Sequence, residues 1–183
     1  MRKNKRGASG IILFFIVLFS ILIIGFIASV AVGIINYGSG IITPVMEDLG
    51  VVGDTNLSTV SGYTFGVMDS ISNALPWLIG FAYVGALIFS IVFVVSYGYN
   101  PSPAFLGLYF ALMLLLVVGS VILSNMYQDI YTGTDEIAAE MKNQTLLSYM
   151  ILYSPAILTT IAFIAGIYMF AGRQNEIGGF AGV

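Results

Sequence analysis

Four stretches of the chain stay apolar for long enough to cross a bilayer, and its polar positions fall between them. The first, Ile11–Ile35, runs 25 residues without a charge. At about 1.5 Å per residue, a helix of that length exceeds a hydrocarbon core of about 30 Å. Similar runs cover Leu75–Tyr97, Ala104–Leu123 and Tyr149–Ala171, and none of the four contains Asp, Glu, Lys, Arg or His. The pattern predicts an all-α integral membrane protein with four transmembrane helices in an antiparallel bundle and both termini on the inner, cytoplasmic side.

The segments between the spans complete the expected organisation. Residues 1–10 form a basic inner N-terminus, and the spans occupy 11–35, 75–97, 104–123 and 149–171. An outer loop with short helices covers 36–74, and an inner turn covers 98–103. A second outer loop with a helical extension covers 124–148, and an inner tail covers 172–183.

Local signals sharpen these boundaries. Trp77 and Tyr97 sit at the two ends of the second span, as residues of an interfacial aromatic belt do. In "YNPSP" (Tyr99–Pro103), Ser102 suits a helix cap and Pro103 a first helical position. In "TPVMEDLG", Thr43 and Pro44 open a short helix that Gly50 stops. Phe65, Met68, Ile71 and Leu75 recur at helical spacing and suit a segment lying in the interface. Thr132 with Asp135 resembles a capping box. Pro155, early in the fourth apolar run, predicts a helix that enters from upstream and kinks there. No internal repeat is evident.

Composition agrees with lipid as the main solvent. The chain is 58% hydrophobic and 8% charged, where soluble domains carry about 25% charged residues. Cys and His are both absent. Disulfides, thiolate or imidazole metal sites and Ser-His or Cys-His catalytic pairs are therefore excluded. With no phosphate loop, nucleophile elbow or basic nucleic-acid patch, the reading is non-enzymatic, without cofactor and without a nucleic-acid partner.

Charge sets the orientation. Of six basic residues, Arg2, Lys3, Lys5, Arg6 and Arg173 fall on the side of the termini, and only Lys142 on the other. The positive-inside rule makes the first side cytoplasmic. Eight of the nine acids then lie in the outer segments. The cluster Arg2–Arg6 reads as a topology determinant and a contact for anionic lipid.

The opening stretch admits other readings. Ile11–Ile24 followed by Ser29-Val30-Ala31 has the form of a cleaved signal. "KRGAS" (Lys5–Ser9) resembles the leader of archaeal type IV prepilins, in which cleavage follows a glycine preceded by a basic residue, here Gly7. That resemblance implies a prepilin-like membrane component. Mature pilins, however, have one apolar helix and a soluble head, whereas three more apolar runs follow here. The stretch is read as an uncleaved signal-anchor span.

Candidate functional residues follow from spacing. Gly25, Ser29 and Gly33 in the first span, and Ala82, Ala86 and Ser90 in the second, recur every four residues. Such small-residue faces let helix backbones approach closely, within this chain or against a partner helix. Phe15 is expected to face lipid. Hydroxyls in the spans, such as Ser20, Ser29, Ser90, Ser120, Thr159 and Thr160, are expected to bond back to helix carbonyls. The absence of intramembrane charge argues against proton relays, voltage sensing and transport of charged solutes.

The paired acids Glu47-Asp48 and Asp135-Glu136 lack the ordered oxygens of a calcium loop and are expected to contact partners. Sequons at Asn56 and Asn143 fall in the outer segments as candidate glycosylation acceptors. Tetraspanins and claudins share the count of four spans but depend on outer-loop cysteines, which this chain lacks. The expected role is a structural or assembly subunit of a larger membrane-embedded complex, in a cell membrane or a lipid-containing virion. Its partners are then the bilayer and other membrane subunits, or further copies of itself. The alternative is a pore or transport subunit for water, ions or a small neutral solute, including a holin-like lesion former.

Overall fold

The computed structural model describes residues 2–96 and 104–171. The inner turn at 98–103, with Ser102, Pro103 and the neighbouring Tyr97, and the tail at 172–183, with Arg173, lie outside the described residues. Apart from one small hairpin, the described regular structure is helical. In chain order it is α1 (Arg2–Leu49), β1 (Val51–Val52), β2 (Thr55–Asn56), α2 (Leu57–Ser96), α3 (Ala104–Tyr131), α4 (Glu136–Asn143), α5 (Thr145–Leu152) and α6 (Ser154–Ala171). Three helices are long and apolar enough to cross a membrane, and α5 with α6 forms a fourth span only if the bent pair is taken together.

The helices are longer than the apolar runs within them. α1 continues 14 residues past Ile35, through Pro44, to Leu49. The weak helix formers Asn36 and Ser39 are held there by hydrogen bonds to side chains of α2 and α4. Those bonds offset the low propensity of the stretch. Thr43 and Pro44 therefore open no separate helix. Gly50 does end α1, at φ 62°, with its N–H donating to Glu47 O at 3.2 Å. A side chain at that φ would be strained, which is why glycine commonly stops helices.

The connection from α1 to α2 is short. β1 and β2 pair antiparallel, Val51 with Asn56 and Val52 with Thr55, around a turn that starts at Gly53 with φ 64°. Glycine at the first of two turn positions suits a type II′ hairpin. α2 then begins at once and runs through Pro76, so the segment Phe65–Leu75 is part of one long helix.

Before α6 the chain breaks at Tyr153, where a continuous helix kinked at Pro155 was expected. Pro155 has no N–H for the Ile151 carbonyl, and its ring collides with that turn. α5 stops at Leu152, and Ile157 N–H donates to Tyr153 O at 3.0 Å to start α6. Pro155 occupies the second position of α6, where a missing N–H costs little.

The chain divides into two compact units. Unit 1 comprises Met1–Ile23, Tyr83–Ser124 and Tyr153–Val183. Its interior includes the buried Tyr109, whose hydroxyl donates to Ala162 O and whose ring meets Phe15 edge-on at 5.1 Å and Phe170 at 5.5 Å. Phe15 is therefore buried, not lipid-facing as expected. The neighbouring Ile12, Leu13 and Ile16 are exposed. Position 15 lies on the same helical stripe as the buried Ile11, Leu18 and Leu22.

Unit 2 comprises Ile24–Ala82 and Asn125–Leu152. Its core is Tyr127, Met141, Leu147 and Ile151, with Phe26, Val30, Ile79 and Ile137 packed against them.

Candidate functional site

Gly25, Ser29 and Gly33 are not exposed, and at Ser29 and Gly33 the neighbours are unit 2's own helices. A Cβ at Gly33 would stand 3.2 Å from Met141 Cγ, so α4 packs directly on that glycine. Ser29 does more than leave room, and its hydroxyl bonds side chains across the unit where a bond back to its own helix was expected. Its hydroxyl donates to Gln144 Oε1 at 2.8 Å and shares a hydrogen bond of 2.7 Å with the Tyr127 hydroxyl. Gln144 Nε2 returns a bond of 3.1 Å to Ser29 O. Tyr127 also meets the Ser148 hydroxyl at 2.7 Å, and Ser148 reaches Met141 O at 2.8 Å. All four side chains are buried, and Gln144 is the most exposed at 4%.

Proton counting constrains this network. Three hydroxyl protons serve four contacts, because each hydroxyl donates once. The two carbonyl contacts take two of them, Ser29 donating to Gln144 Oε1 and Ser148 to Met141 O, and the Tyr127 hydroxyl donates to Ser29 or to Ser148. Met141 O also accepts from the Gln144 backbone N–H, at 3.1 Å. Buried polar groups are costly when unpaired and rigidifying when all are satisfied. The network therefore fixes the register of α1, α3, α4 and α5 within unit 2.

Two helical turns further along α1, the polar pattern opens to solvent. Asn36 Nδ2 donates to Glu140 at 3.2 Å, and its Oδ1 accepts from the Ser72 hydroxyl. The Ser39 hydroxyl bonds Asn36 O at 3.1 Å and Asp69 Oδ1 at 3.0 Å. A cleft of about 100 Å³ lies here, lined among others by Asn36, Ser72, Asn73, Glu140, Asn143 and Gln144. A second, wider hollow shares Asn36, Asn73 and Glu140 and adds Asp69. No group of three or more His, Cys, Asp or Glu is placed to hold a metal among the described residues. Chemically, the cleft offers hydrogen bonds and negative charge.

The other singled-out residues fall elsewhere. Ala82 is exposed, Ala86 half-buried, and Ser90 buried with its hydroxyl on Ala86 O at 2.7 Å. Glu47 and Asp48 are exposed in the last turn of α1. Asp135, and not Thr132, caps α4, its carboxylate accepting from Ala138 N–H at 2.9 Å. Thr132 instead bonds back to Gln128 O. Glu136 is exposed in the first turn of α4, where a carboxylate favours the helix dipole. Asn56 is exposed at the end of β2, and Asn143 is the last residue of α4. Arg2, Lys3, Lys5 and Arg6 lie in the first turns of α1.

Sequence reasoning missed Tyr127, Gln144, Ser148, Asn36 and Ser72. A partial signal existed. Ser29, Gly33, Asn36 and Gly40 continue one α1 face at helical spacing, and Asp69, Ser72, Asn73 and Pro76 do the same on α2. Nothing in the spacing pointed to Gln144 as the partner of Ser29.

No protein-family model, curated protein or solved structure matches this chain.

Proposed function

We propose that this chain is a four-span integral membrane protein with both termini inside, acting as a non-enzymatic structural or assembly subunit of a larger membrane-embedded complex. Its setting is a cell membrane or the membrane of a lipid-containing virion. The spanning reading is supported by how little apolar surface the chain hides. In the most apolar windows of α1, α2 and α3, only 33%, 22% and 17% of residues are buried. Exposed side chains such as Ile16, Leu114, Leu115 and Phe163 need lipid or partner helices around them.

The observation that carries the assembly reading is the separation of charge. Among the described residues, unit 2 holds Glu47, Asp48, Asp54, Asp69, Asp129, Asp135, Glu136 and Glu140 against the single base Lys142. Unit 1 holds Arg2, Lys3, Lys5 and Arg6 and no described acid. Lys142 reaches Gly133 O at 3.2 Å. An acidic outer face of this kind suits docking to basic or hydrogen-bond-donating neighbours.

Purification of the full chain in mild detergent tests the reading. A stable stoichiometric partner, released by salt, is expected. A homo-oligomer that conducts water or solute in liposomes with no partner present would replace this reading with the pore. The polar cleft beside Asn36 and Glu140 is the observation that favours that second reading.

A further inference from the structure

The two sequons occupy different environments, and the difference has a chemical consequence. We infer that Asn56 is an acceptor for N-linked glycan and that Asn143 is not. The inference rests on the outer placement of residues 36–74 proposed above.

At Asn56 the whole tripeptide is presented. Asn56 and Ser58 are exposed and Leu57 is half-exposed. The segment ends a pairing of only two residues per strand, and a two-stranded ribbon of that size opens easily in water. Asn56 caps α2 through its carboxamide oxygen, with Oδ1 accepting from Ser58 N–H at 3.1 Å. The nucleophile in glycan transfer is the other atom, Nδ2, which makes no hydrogen bond among the described residues. The co-reactant is a lipid-pyrophosphate-linked oligosaccharide. Nδ2 forms a bond to the anomeric carbon and gives its proton to the transferase base. The sugar–phosphate bond breaks, and the lipid pyrophosphate leaves. Oδ1 survives the reaction, so the cap survives with it. Residues 57–74 separate Asn56 from the apolar run at Leu75, about 27 Å of helix, which leaves room for a membrane-bound transferase.

At Asn143 the same motif is held through its central residue. A transferase must reach the amide nitrogen and read the hydroxyl two residues on, so all three residues must leave their neighbours. Asn143, which closes α4, and Thr145, which opens α5, are themselves exposed, but Gln144 between them is buried with both amide atoms bonded to Ser29. Modification would require taking apart the core network of unit 2.

The test is synthesis of the full chain with endoplasmic-reticulum microsomes, which carry the lipid-linked oligosaccharide, followed by carbonate extraction and gel electrophoresis. A sequon tag placed after Val183 reports the opposite orientation. The expected result is a single-glycan shift, removed by peptide N-glycosidase. It disappears in Asn56→Gln and in Ser58→Ala and persists in Asn143→Gln. An inserted chain with neither Asn56 nor the tag modified overturns this inference and leaves the orientation standing. A modified tag with an unmodified Asn56 overturns the orientation and the inference together. A shift lost only in Asn143→Gln overturns the inference.

Discussion

Gln144 closes a ring of two hydrogen bonds on Ser29 across 115 positions of chain, accepting from its hydroxyl at 2.8 Å and donating to its carbonyl at 3.1 Å. A carboxamide matches this task because it offers one acceptor and one donor side by side. The pair ties the α4–α5 junction to the middle of α1.

That pairing predicts coupling. Ser29→Ala and Gln144→Leu should each destabilise the folded protein, and the double variant should cost less than their sum. Interhelical hydrogen bonds in membrane proteins contribute about 0.6 kcal/mol on average and up to about 1.7; the coupling expected here is about 1 kcal/mol. Unfolding in mixed micelles by denaturing detergent reads it. Ser29→Leu should be worse, about 2–4 kcal/mol, since it removes two bonds and forces bulk against Tyr127. Ile16→Leu, at an exposed position, is the matched control. Strict additivity of the single variants would dissolve the network as a unit.

In unit 1, two glycines of the same helix should behave in opposite ways. A Cβ at Gly119 would stand 2.5 Å from Phe19 Cε2 and 3.1 Å from its Cζ. Gly107 has nothing within 4 Å of such an atom. Gly119→Ala should therefore cost about 1–3 kcal/mol by overpacking. Gly107→Ala should be neutral or stabilise by up to about 1 kcal/mol, because alanine is the better helix former. Equal effects in a thermal melt would place Phe19 away from α3.

The acids can be tested without damage to the fold. Glu47→Gln, Asp48→Asn, Asp135→Asn and Glu136→Gln together should weaken partner retention, and the difference from the parent chain should shrink as salt rises. Asparagine still caps a helix, so α4 survives Asp135→Asn, whereas Asp135→Ala should cost about 1 kcal/mol on its own. Unchanged pull-down of the partner by the fourfold variant would remove the acidic face from the docking surface.

Topology has its own experiment, made simple by the absence of native cysteine. Asn56→Cys and Asn143→Cys should react with an impermeant thiol reagent from one side, and Lys5→Cys and Arg173→Cys from the other. Reaction of all four from a single face would refute the four-span arrangement.

The helical class and the candidate spans were legible because they rest on composition over long windows. Uncharged runs of twenty or more residues are additive properties, insensitive to which residue touches which. Local signals with their own chemistry were legible too. Gly50 stops α1 because only glycine takes a left-handed φ without strain. The Pro155 signal was read in the right place, but propensity could not tell a kink from the full break at Tyr153.

Tertiary contacts decided the rest. α1 continues to Leu49 through weak helix formers because Asn36 and Ser39 find partners on α2 and α4. Phe15 is buried because Tyr109 arrives beside it, and Thr132 yields the cap to Asp135 because the carboxylate meets Ala138 N–H. Ser29 becomes the centre of a network because the fold delivers Tyr127 and Gln144, residues 98 and 115 positions away, to one hydroxyl. Hydropathy is a sum over neighbours in sequence, whereas a buried hydrogen bond depends on the direction and distance of one atom from another, and only the folded chain sets those.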